Sequence, residues 1–232
     1  MKRLPISLCL FVKNEEENIS GVIECVAPIV EEVVVVDTGS SDNTIEIAKR
    51  YTNRVYKIPF PNSFGMLRTI TAHMALSKWV LMLDADERIL PEDFAALENL
   101  INQPEPTIES NYELDAAGNV VIDSWALPRK RWQDRMMTVQ IEKEAYPDWQ
   151  VRLFKNHPNK RICFARRVHE TIIGCVRTEH SIGGPIIHHF QGVGKEADRN
   201  SKRKELYTRL RDADIAEGIE HDIPAVVKVD EQ

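Results

Sequence analysis

The amino-acid sequence predicts an α/β fold in which a mainly parallel central sheet is flanked by helices on both faces. Strand-like and helix-like segments alternate over residues 6–101, the strand-like segments are short apolar runs, and polar turn residues follow several of them. Continuous apolar runs are typical of strands buried on both faces, and alternation with helices is typical of parallel sheets. Ligands of such sheets bind beyond the carboxyl ends of the strands, so functional residues are expected there.

The first predicted unit is a strand, a helix and a second strand. Residues 6–12 form an apolar run that predicts a buried strand, and the β-branched run 33–36 predicts the next one. Between them, apolar residues recur at helical spacing, at Ile19, Val22, Ile23 and Val26. We expect Asn14 to cap this helix, with the following acidic residues in the first turn, where the helix dipole favours negative charge.

The alternation continues to residue 101. A helix is predicted to begin near Thr44, residues 53–59 predict a short strand, and residues 63–78 predict a helix. Residues 79–83 predict a buried strand, and residues 91–101 predict a helix with a proline in its first turn.

Beyond residue 101 the pattern changes. Residues 102–123 are rich in polar residues, proline and glycine and predict an irregular excursion. Short strands are then predicted at 120–128, 149–155, 161–170 and 185–190, and a helix at 196–218. In that helix Leu206, Leu210 and Ala213 are expected to face inward. We expect one domain over residues 1–232.

Composition narrows the class of protein. The formal net charge of -6 argues against a nucleic-acid partner, because there is no excess of cations to neutralise phosphates. The four cysteines include no C-x-x-C pair, so reduced cysteines are expected and a zinc site is not. No apolar run approaches the roughly 18 residues of a membrane span. A cytoplasmic protein is expected, and the basic segment 201–211 raises peripheral contact with the inner membrane as an alternative to a solvated helix face.

Two acidic motifs follow predicted strands. Asp37 begins DTGSSDN, where glycine and small residues let a ligand approach the backbone closely; a turn without a ligand is the alternative. Asp84, Asp86 and Glu87 crowd the end of the strand at 79–83. A divalent cation with a bound diphosphate would offset their repulsion, whereas the simpler interpretation is a solvated acidic turn.

Later segments supply candidate bases and a further metal ligand. Glu170 follows a strand-like run and is a candidate general base, with Asp148 as a second candidate. The alternative for Glu170 is an ion pair with Arg166 or Arg167. His188 and His189 are consecutive in a predicted strand, so they cannot face the same side, and one of them is a candidate metal ligand.

Together these residues resemble the family 2 glycosyltransferases of the GT-A fold. The resemblance rests on matching blocks in the same order, at residues 6–19, 31–51, Phe64 with Arg68, 79–87, 148–155, 168–170 and 186–190. It covers about the whole chain, is strongest over residues 5–95, and points to the branch that includes bacterial lipopolysaccharide-core and envelope enzymes. The family usually has Asn where this chain has Thr69, which leaves the contact made there open.

The resemblance implies an inverting transferase that uses Mn²⁺ or Mg²⁺. Its donor would be a UDP-, GDP- or ADP-sugar and its acceptor a carbohydrate, a lipid-linked acceptor or a peptide. Residues 1–101 would form the nucleotide-sugar half, 102–197 the acceptor-side half, and 198–232 a C-terminal helix and tail. The alternatives are a sugar nucleotidyltransferase, for which the glycine-rich loop is missing, and a non-catalytic nucleotide-sugar binding module.

The resemblance also implies roles for individual residues. Asn14 and Glu15 would lie near the nucleobase, Asp37 and Asp42 would line the nucleotide pocket, and Arg68 would approach the nucleotide or diphosphate. Asp84 would contact the ribose or the metal, and Asp86 would ligate the metal. Glu170 would be the general base, and His189, with His188 as the alternative, would match the histidine that precedes an aromatic residue in the family's last block, a candidate metal ligand.

Overall fold

The computed structural model describes residues 2–103, 123–141, 146–157, 162–175, 178–190 and 197–218. The strands are β1 (Leu4–Val12), β2 (Val30–Asp37), β3 (Val55–Lys57), β4 (Trp79–Met82), β5 (Glu87–Arg88), β6 (Ser124–Trp132), β7 (Gln140–Ile141), β8 (Asp148–Lys155), β9 (Cys163–Ala165), β10 (Thr171–Ile173), β11 (Thr178–His180) and β12 (Ile187–His189). The helices are α1 (Ile19–Val26), α2 (Thr44–Ala48), α3 (Phe64–His73), α4 (Phe94–Asn102) and α5 (Ala197–Ala216), and a 3-10 turn (Pro91–Asp93) precedes α4.

One large sheet organises the chain. Its strand order is β3-β2-β1-β4-β8-β6-β12-β5, with β7 and β11 also pairing with β6. The strands β3, β2, β1 and β4 are mutually parallel, whereas β8 is antiparallel to both β4 and β6. The predicted mainly parallel sheet with flanking helices is confirmed. The small β9–β10 hairpin forms a separate antiparallel pair.

Alternate side chains of β1 are buried in two hydrophobic clusters on opposite faces of the sheet. Leu8 and Leu10 are fully buried and belong to the same cluster as Ile23 of α1. Cys9, between them, is buried in a second cluster with Ala72 of α3. Because both faces are covered, both sets of side chains are apolar, which explains the nearly continuous apolar run of the sequence.

The first helix begins later than predicted. The α1 helix starts at Ile19, and a turn precedes it in which the Asn18 backbone N–H donates to the Glu15 carbonyl at 2.9 Å. Asn14 has a φ of 54° and does not cap the helix. Its side chain instead accepts a hydrogen bond from the Ser41 backbone N–H at 2.8 Å. The prediction that the acidic residues occupy the first helical turn is therefore wrong. The segment that contains Asn14 is hydrogen-bonded to the loop after β2, and the helix begins only after it.

The second half of the chain is partly described. The predicted excursion at 102–123 lies largely outside the described residues, as does the end of the tail at 219–232. The strand predicted over 161–170 is confirmed only at Cys163–Ala165, since the chain then turns through Arg166 and His169, whose φ values are 69° and 53°. In α5, Leu210 is buried as predicted, and one turn later Asp214 is fully buried as well.

Candidate active site

The sheet topology brings Asp37 and Asp84 to one edge. The strand β1 lies between β2 and β4 and is parallel to both, so all three end on the same side. Asp37 is the last residue of β2 and is fully buried. Its Oδ1 accepts hydrogen bonds from the backbone N–H groups of Gly39 and Ser40 at 2.9 and 3.0 Å. Its Oδ2 is buried without a hydrogen-bond partner among the described residues.

The loops after β1 and β2 brace each other. The backbone N–H groups of Asn14 and Glu15 donate to the hydroxyls of Ser40 and Thr44 at 2.8 and 2.7 Å. Burial raises the pKa of Asp42, but hydrogen bonds from the Thr44 hydroxyl and backbone outweigh it and lower the pKa below its ordinary value. The Asn14 and Asp42 side chains therefore stabilise the conformation of the two loops.

Asp84 lies between two buried arginines. Its Oδ1 accepts a hydrogen bond from Arg68 Nη2 at 2.9 Å, and its Oδ2 accepts one from Arg152 Nη2 at 2.8 Å. Burial raises the pKa of this carboxyl, but the charges of Arg152 and Arg68 lower it well below its usual range. Asp84 is consequently ionised at neutral pH and fixed in orientation.

The third acid of the motif is part of the same network. Glu87 is fully buried, and its carboxylate accepts hydrogen bonds from Arg152 Nε and Nη2 at 3.1 and 2.9 Å. It also accepts the backbone N–H of Asp84 at 2.9 Å. Arg152 of β8 thus bridges Asp84 and Glu87, which offsets the repulsion between the two acids. Arg152 was not predicted as a site residue. In the sequence it is distinguished only as a charged residue between two apolar residues of a predicted strand.

Asp86 faces one of the two consecutive histidines. His189 Nε2 lies 3.5 Å from Asp86 Oδ2, and His189 Nδ1 is buried without a hydrogen-bond partner among the described residues. His188 faces the other side of β12: its Nδ1 accepts a hydrogen bond from Trp132 Nε1 at 3.0 Å, and the two rings stack. Burial lowers the pKa of His188. The structure therefore brings His189, and not His188, to the carboxylates.

Asp86 and His189 form an incomplete donor set for a metal ion. Within the described ranges, no three His, Cys, Asp or Glu side chains are arranged to hold a metal by themselves. A carboxylate and an imidazole 3.5 Å apart are, however, suited to bind one divalent cation together. A cation held in this way would need further oxygen ligands from a bound molecule, as Mg²⁺ usually takes from phosphates.

Glu170 is hydrogen-bonded to Arg68. Arg68 Nε donates to Glu170 Oε1 at 3.3 Å, while the same guanidinium holds Asp84. Of the two neighbouring arginines considered as ion-pair partners, Arg167 instead binds Asp214 of α5 at 2.8 Å and also contacts Glu217. Arg68 thereby places a candidate base beside the carboxylates of the strand end.

The other candidate base has a different environment. Asp148 Oδ2 accepts hydrogen bonds from Arg129 Nε and Nη2 at 2.9 and 2.7 Å and from Arg131 at 3.1 Å, and Gln150 donates to its Oδ1 at 2.8 Å. Burial raises the pKa of Asp148, but these arginines and Gln150 lower it below its ordinary value. A carboxylate with a lowered pKa is a weak base, which counts against Asp148 as the general base.

Thr69 packs α3 against β9. Its hydroxyl accepts the backbone N–H of Phe164 at 2.8 Å and donates to the Gly65 carbonyl at 2.9 Å. A Cβ on Gly65 would lie 2.3 Å from the carbonyl oxygen of Arg166, so the close approach of the two segments requires glycine there. The residue at position 69 thus holds the helix that carries Arg68 against the segment that leads to Glu170.

Comparison with known proteins identifies the family. The model of the glycosyl transferase family 2 matches residues 7–161. The chain belongs to glycosyltransferase family 2. An uncharacterized glycosyltransferase of Rickettsia typhi is 38% identical over 87 residues, which are 38% of this chain and 30% of that protein. A TPR repeat-containing protein of Synechococcus elongatus is 33% identical over 100 residues, which are 43% of this chain and 25% of that protein.

Further relatives of this family 2 chain are more distant. The lipopolysaccharide core biosynthesis glycosyltransferase LpsC of Rhizobium meliloti is 27% identical over 110 residues, 43% of this chain and 40% of LpsC. Glucosyl-3-phosphoglycerate synthase from Mycobacterium tuberculosis, solved with Mg²⁺ and UDP, is 21% identical with a TM-score of 0.40, over 56% of this chain and 45% of that one. The chain thus matches less than half the length of each of these proteins.

Proposed function

We propose that this chain is an inverting, metal-dependent glycosyltransferase that moves a sugar from a nucleotide-diphosphate donor to a hydroxyl acceptor. One observation carries the proposal. Arg68 contacts both Asp84, which follows the strand β4, and Glu170, which follows the β9 segment. A carboxylate of the donor side and a candidate base for the acceptor are therefore joined by a single guanidinium.

The donor nucleotide would bind at the carboxyl ends of β1 and β2. Asp37 Oδ2 is a buried acceptor without a partner among the described residues, so an N–H group of a nucleobase would satisfy it. Uracil, guanine and adenine all offer such a group, so the donor remains a UDP-, GDP- or ADP-sugar. The braced loops around Asn14 and Asp42 would hold this pocket in shape.

Asp86 and His189 would hold Mn²⁺ or Mg²⁺ together with the donor. Such a cation, when bound, supplies positive charge to a departing diphosphate. Asp84 would face the ribose or the cation while its charge is shared with Arg68 and Arg152. Because the protein would supply only two ligands, the cation would also need oxygens of the diphosphate. Metal and donor would therefore bind cooperatively.

Glu170 would take the proton from the acceptor hydroxyl. Its carboxylate is partly exposed, with 17% of the side chain accessible, so it can receive a proton from an incoming acceptor. The hydrogen bond from Arg68 fixes the orientation of the carboxylate, which raises the share of productive encounters. The hydroxyl would then attack the anomeric carbon on the face opposite the diphosphate, in a single displacement that inverts the configuration.

The acceptor would be a carbohydrate, a lipid-linked acceptor or a peptide, and we propose a role in cell-envelope polysaccharide or lipopolysaccharide synthesis. The similarity to LpsC, whose name refers to the lipopolysaccharide core, supports this assignment. None of the described helices is long and apolar enough to cross a membrane. Contact with an anionic inner membrane through basic residues of α5 remains part of the proposal.

Donor turnover tests the function. The purified chain is incubated with UDP-, GDP- and ADP-sugars, with Mn²⁺ or with EDTA, and the products are separated by chromatography. We expect one donor to be hydrolysed by water to a nucleoside diphosphate and a free sugar, only when metal is present. Release of every bound donor unchanged would indicate a binding module, and formation of a nucleoside triphosphate from donor and pyrophosphate would indicate a nucleotidyltransferase.

A further inference from the structure

The C-terminal helix α5 packs against both segments that position the candidate base. The Tyr207 ring lies 5.4 Å from the Phe64 ring at the start of α3 and 6.5 Å from the His169 ring next to Glu170. Further along α5, the buried Asp214 accepts the backbone N–H of Arg167 at 2.8 Å. The position of α5 beside the candidate active site is therefore fixed by specific contacts and not by a general apolar face.

Arg203 is held one helical turn before Tyr207. Its Nε and Nη2 donate to the Tyr207 hydroxyl at 3.2 and 3.0 Å, and its guanidinium carbon lies 5.2 Å from the centre of the Tyr207 ring. Because the guanidinium is planar and one edge of it faces Tyr207, its Nη1 corner points away from that hydroxyl. The side chain of Arg203 is exposed to solvent.

The charges of the candidate metal site act on Arg203. Partial burial lowers the pKa of Arg203, but Tyr207 and the negative charges of Asp86 and Asp84 outweigh it, and the net shift is upward. By geometry, the guanidinium is linked through Tyr207 to the segments that carry Glu170 and Arg68.

The other arginines at this edge are engaged by carboxylates. Arg68 pairs with Asp84 and Glu170, and Arg152 pairs with Asp84 and Glu87. Their charges are largely used to keep buried acids ionised. Arg203 donates to a neutral hydroxyl instead, so its positive charge remains available for an added anion.

We propose that Arg203 binds the diphosphate of the donor from α5, with Tyr207 as its positioning residue. The inference rests on the proposed function, because it names a further contact in the same site. A guanidinium is suited to two phosphate oxygens at once, and it would stabilise the negative charge that develops on the leaving diphosphate.

Nucleotide binding measured by calorimetry tests the assignment. UDP, GDP and ADP, each with its monophosphate, are titrated into the wild type with Mn²⁺, and the diphosphate that binds is used for the variants. We expect Arg203→Ala to weaken diphosphate binding by about tenfold to a hundredfold, and monophosphate binding by about twofold or less, since only the diphosphate reaches the guanidinium. Arg203→Lys should recover part of the loss, and Tyr207→Phe should show a smaller loss.

Arg211→Ala is the matched control. It removes the same charge from an exposed position of the same helix, where Arg211 lies 3.7 Å from Asp212. Equal losses in Arg203→Ala and Arg211→Ala would overturn the role of Arg203, and so would equal losses for diphosphate and monophosphate. If none of the three diphosphates binds the wild type, the proposed function itself fails. Melting temperatures show whether each variant is folded, and Arg203→Lys carries the test if the alanine variant is not.

Discussion

The two ends of the central sheet both carry charged side chains, but these side chains are hydrogen-bonded to different degrees. At the amino-terminal end, Glu32 accepts hydrogen bonds from the Ser7 hydroxyl, the Arg54 guanidinium and the Ser77 backbone N–H. Arg54 in turn donates to the carbonyl of Met74 at 2.6 Å. This network connects β1, β2 and the segment before β4. The Glu32 carboxylate and the Arg54 guanidinium both have hydrogen-bond partners within the protein.

At the carboxyl end, hydrogen-bonding groups are left over. Asp37 Oδ2, Arg68 Nη1 and His189 Nδ1 are buried without a hydrogen-bond partner among the described residues. The indole N–H groups of Trp79, which opens β4, and of Trp125, near the start of β6, also lack a hydrogen-bond partner among the described residues, and both lie away from the carboxyl end. Because an unsatisfied buried polar atom is costly, its retention at this edge is the signature of a site that a ligand completes. We therefore interpret the amino-terminal end as structural and the carboxyl end as the candidate site.

The largest effect is expected for Glu170→Gln, which keeps the shape of the side chain and removes the base. Donor turnover with acceptor should fall by about 10²–10⁴-fold, the usual contribution of a general base, with little change in nucleotide binding. The control is Asp148→Asn, because Asp148 is paired with Arg129 and Arg131. If Asp148→Asn loses more turnover than Glu170→Gln, the assignment of the base is reversed.

Asp37→Asn probes the unpaired acceptor at the carboxyl end. The amide still accepts from the two backbone N–H groups, but it no longer offers a charged oxygen to a nucleobase. We expect the Kd of the nucleoside diphosphate to rise by about tenfold or more, because a hydrogen bond to a charged group is lost, while the melting temperature changes little. A large drop in melting temperature with unchanged binding would show that Asp37 belongs to the structural end.

Glu32→Gln probes the amino-terminal network and should have the reverse effect. The hydrogen bonds to its charged carboxylate contribute to folding, so the free energy of unfolding should fall by about 1.5–3 kcal/mol in urea titrations. Nucleotide binding should remain at the wild-type Kd. The exposed pair of Glu46 with Lys49 provides the control, since Glu46→Gln should change stability less. Weakened binding in Glu32→Gln would remove the contrast between the two ends.

The pH dependence of stability should be a smaller effect with a definite sign. Burial raises the pKa of Glu32, but the Ser7 hydroxyl, the Leu76 backbone N–H and Arg54 outweigh it, and the net pKa is lowered. The pKa of Asp84 is lowered as well. A lowered pKa stabilises the fold above the unfolded value of about 4 and loses that contribution as pH falls through the folded value.

Urea titrations at a series of pH values measure this dependence. The free energy of unfolding should decrease below about pH 5, and the decrease should be shallower in Glu32→Gln, which has one carboxyl fewer to protonate. A steeper decrease in that variant would contradict the direction of the pKa shift.

Local patterns were sufficient to predict much of the sheet. The apolar runs at 6–12, 33–36 and 79–83 correspond to β1, β2 and β4, because strands covered on both faces contain few polar residues. The parallel order then places Asp37 and Asp84 at one edge without knowledge of any contact. The start of α1 was misplaced because Asn14 bonds to a loop far along the chain, which no local pattern records.

The pairing of charges could not be predicted in the same way. Arg152 is 65 residues from Glu87, and Glu170 is 102 residues from Arg68, so neither pair leaves a periodic signal. For Glu170, sequence proximity offered an ion pair with Arg166 or Arg167 only as the alternative to a role as general base. The turn after β9 instead directs Arg167 to Asp214 and leaves Glu170 to Arg68.

The most direct test of the account is the coupling between metal and nucleotide at Asp86. The Kd of the nucleoside diphosphate is measured by calorimetry with Mn²⁺ and with EDTA, in the wild type and in Asp86→Ala. We expect Mn²⁺ to tighten binding by about tenfold or more in the wild type and to have little effect in Asp86→Ala, because Asp86 would hold the cation that supplies positive charge to the diphosphate. Equal tightening by Mn²⁺ in both proteins would contradict the account.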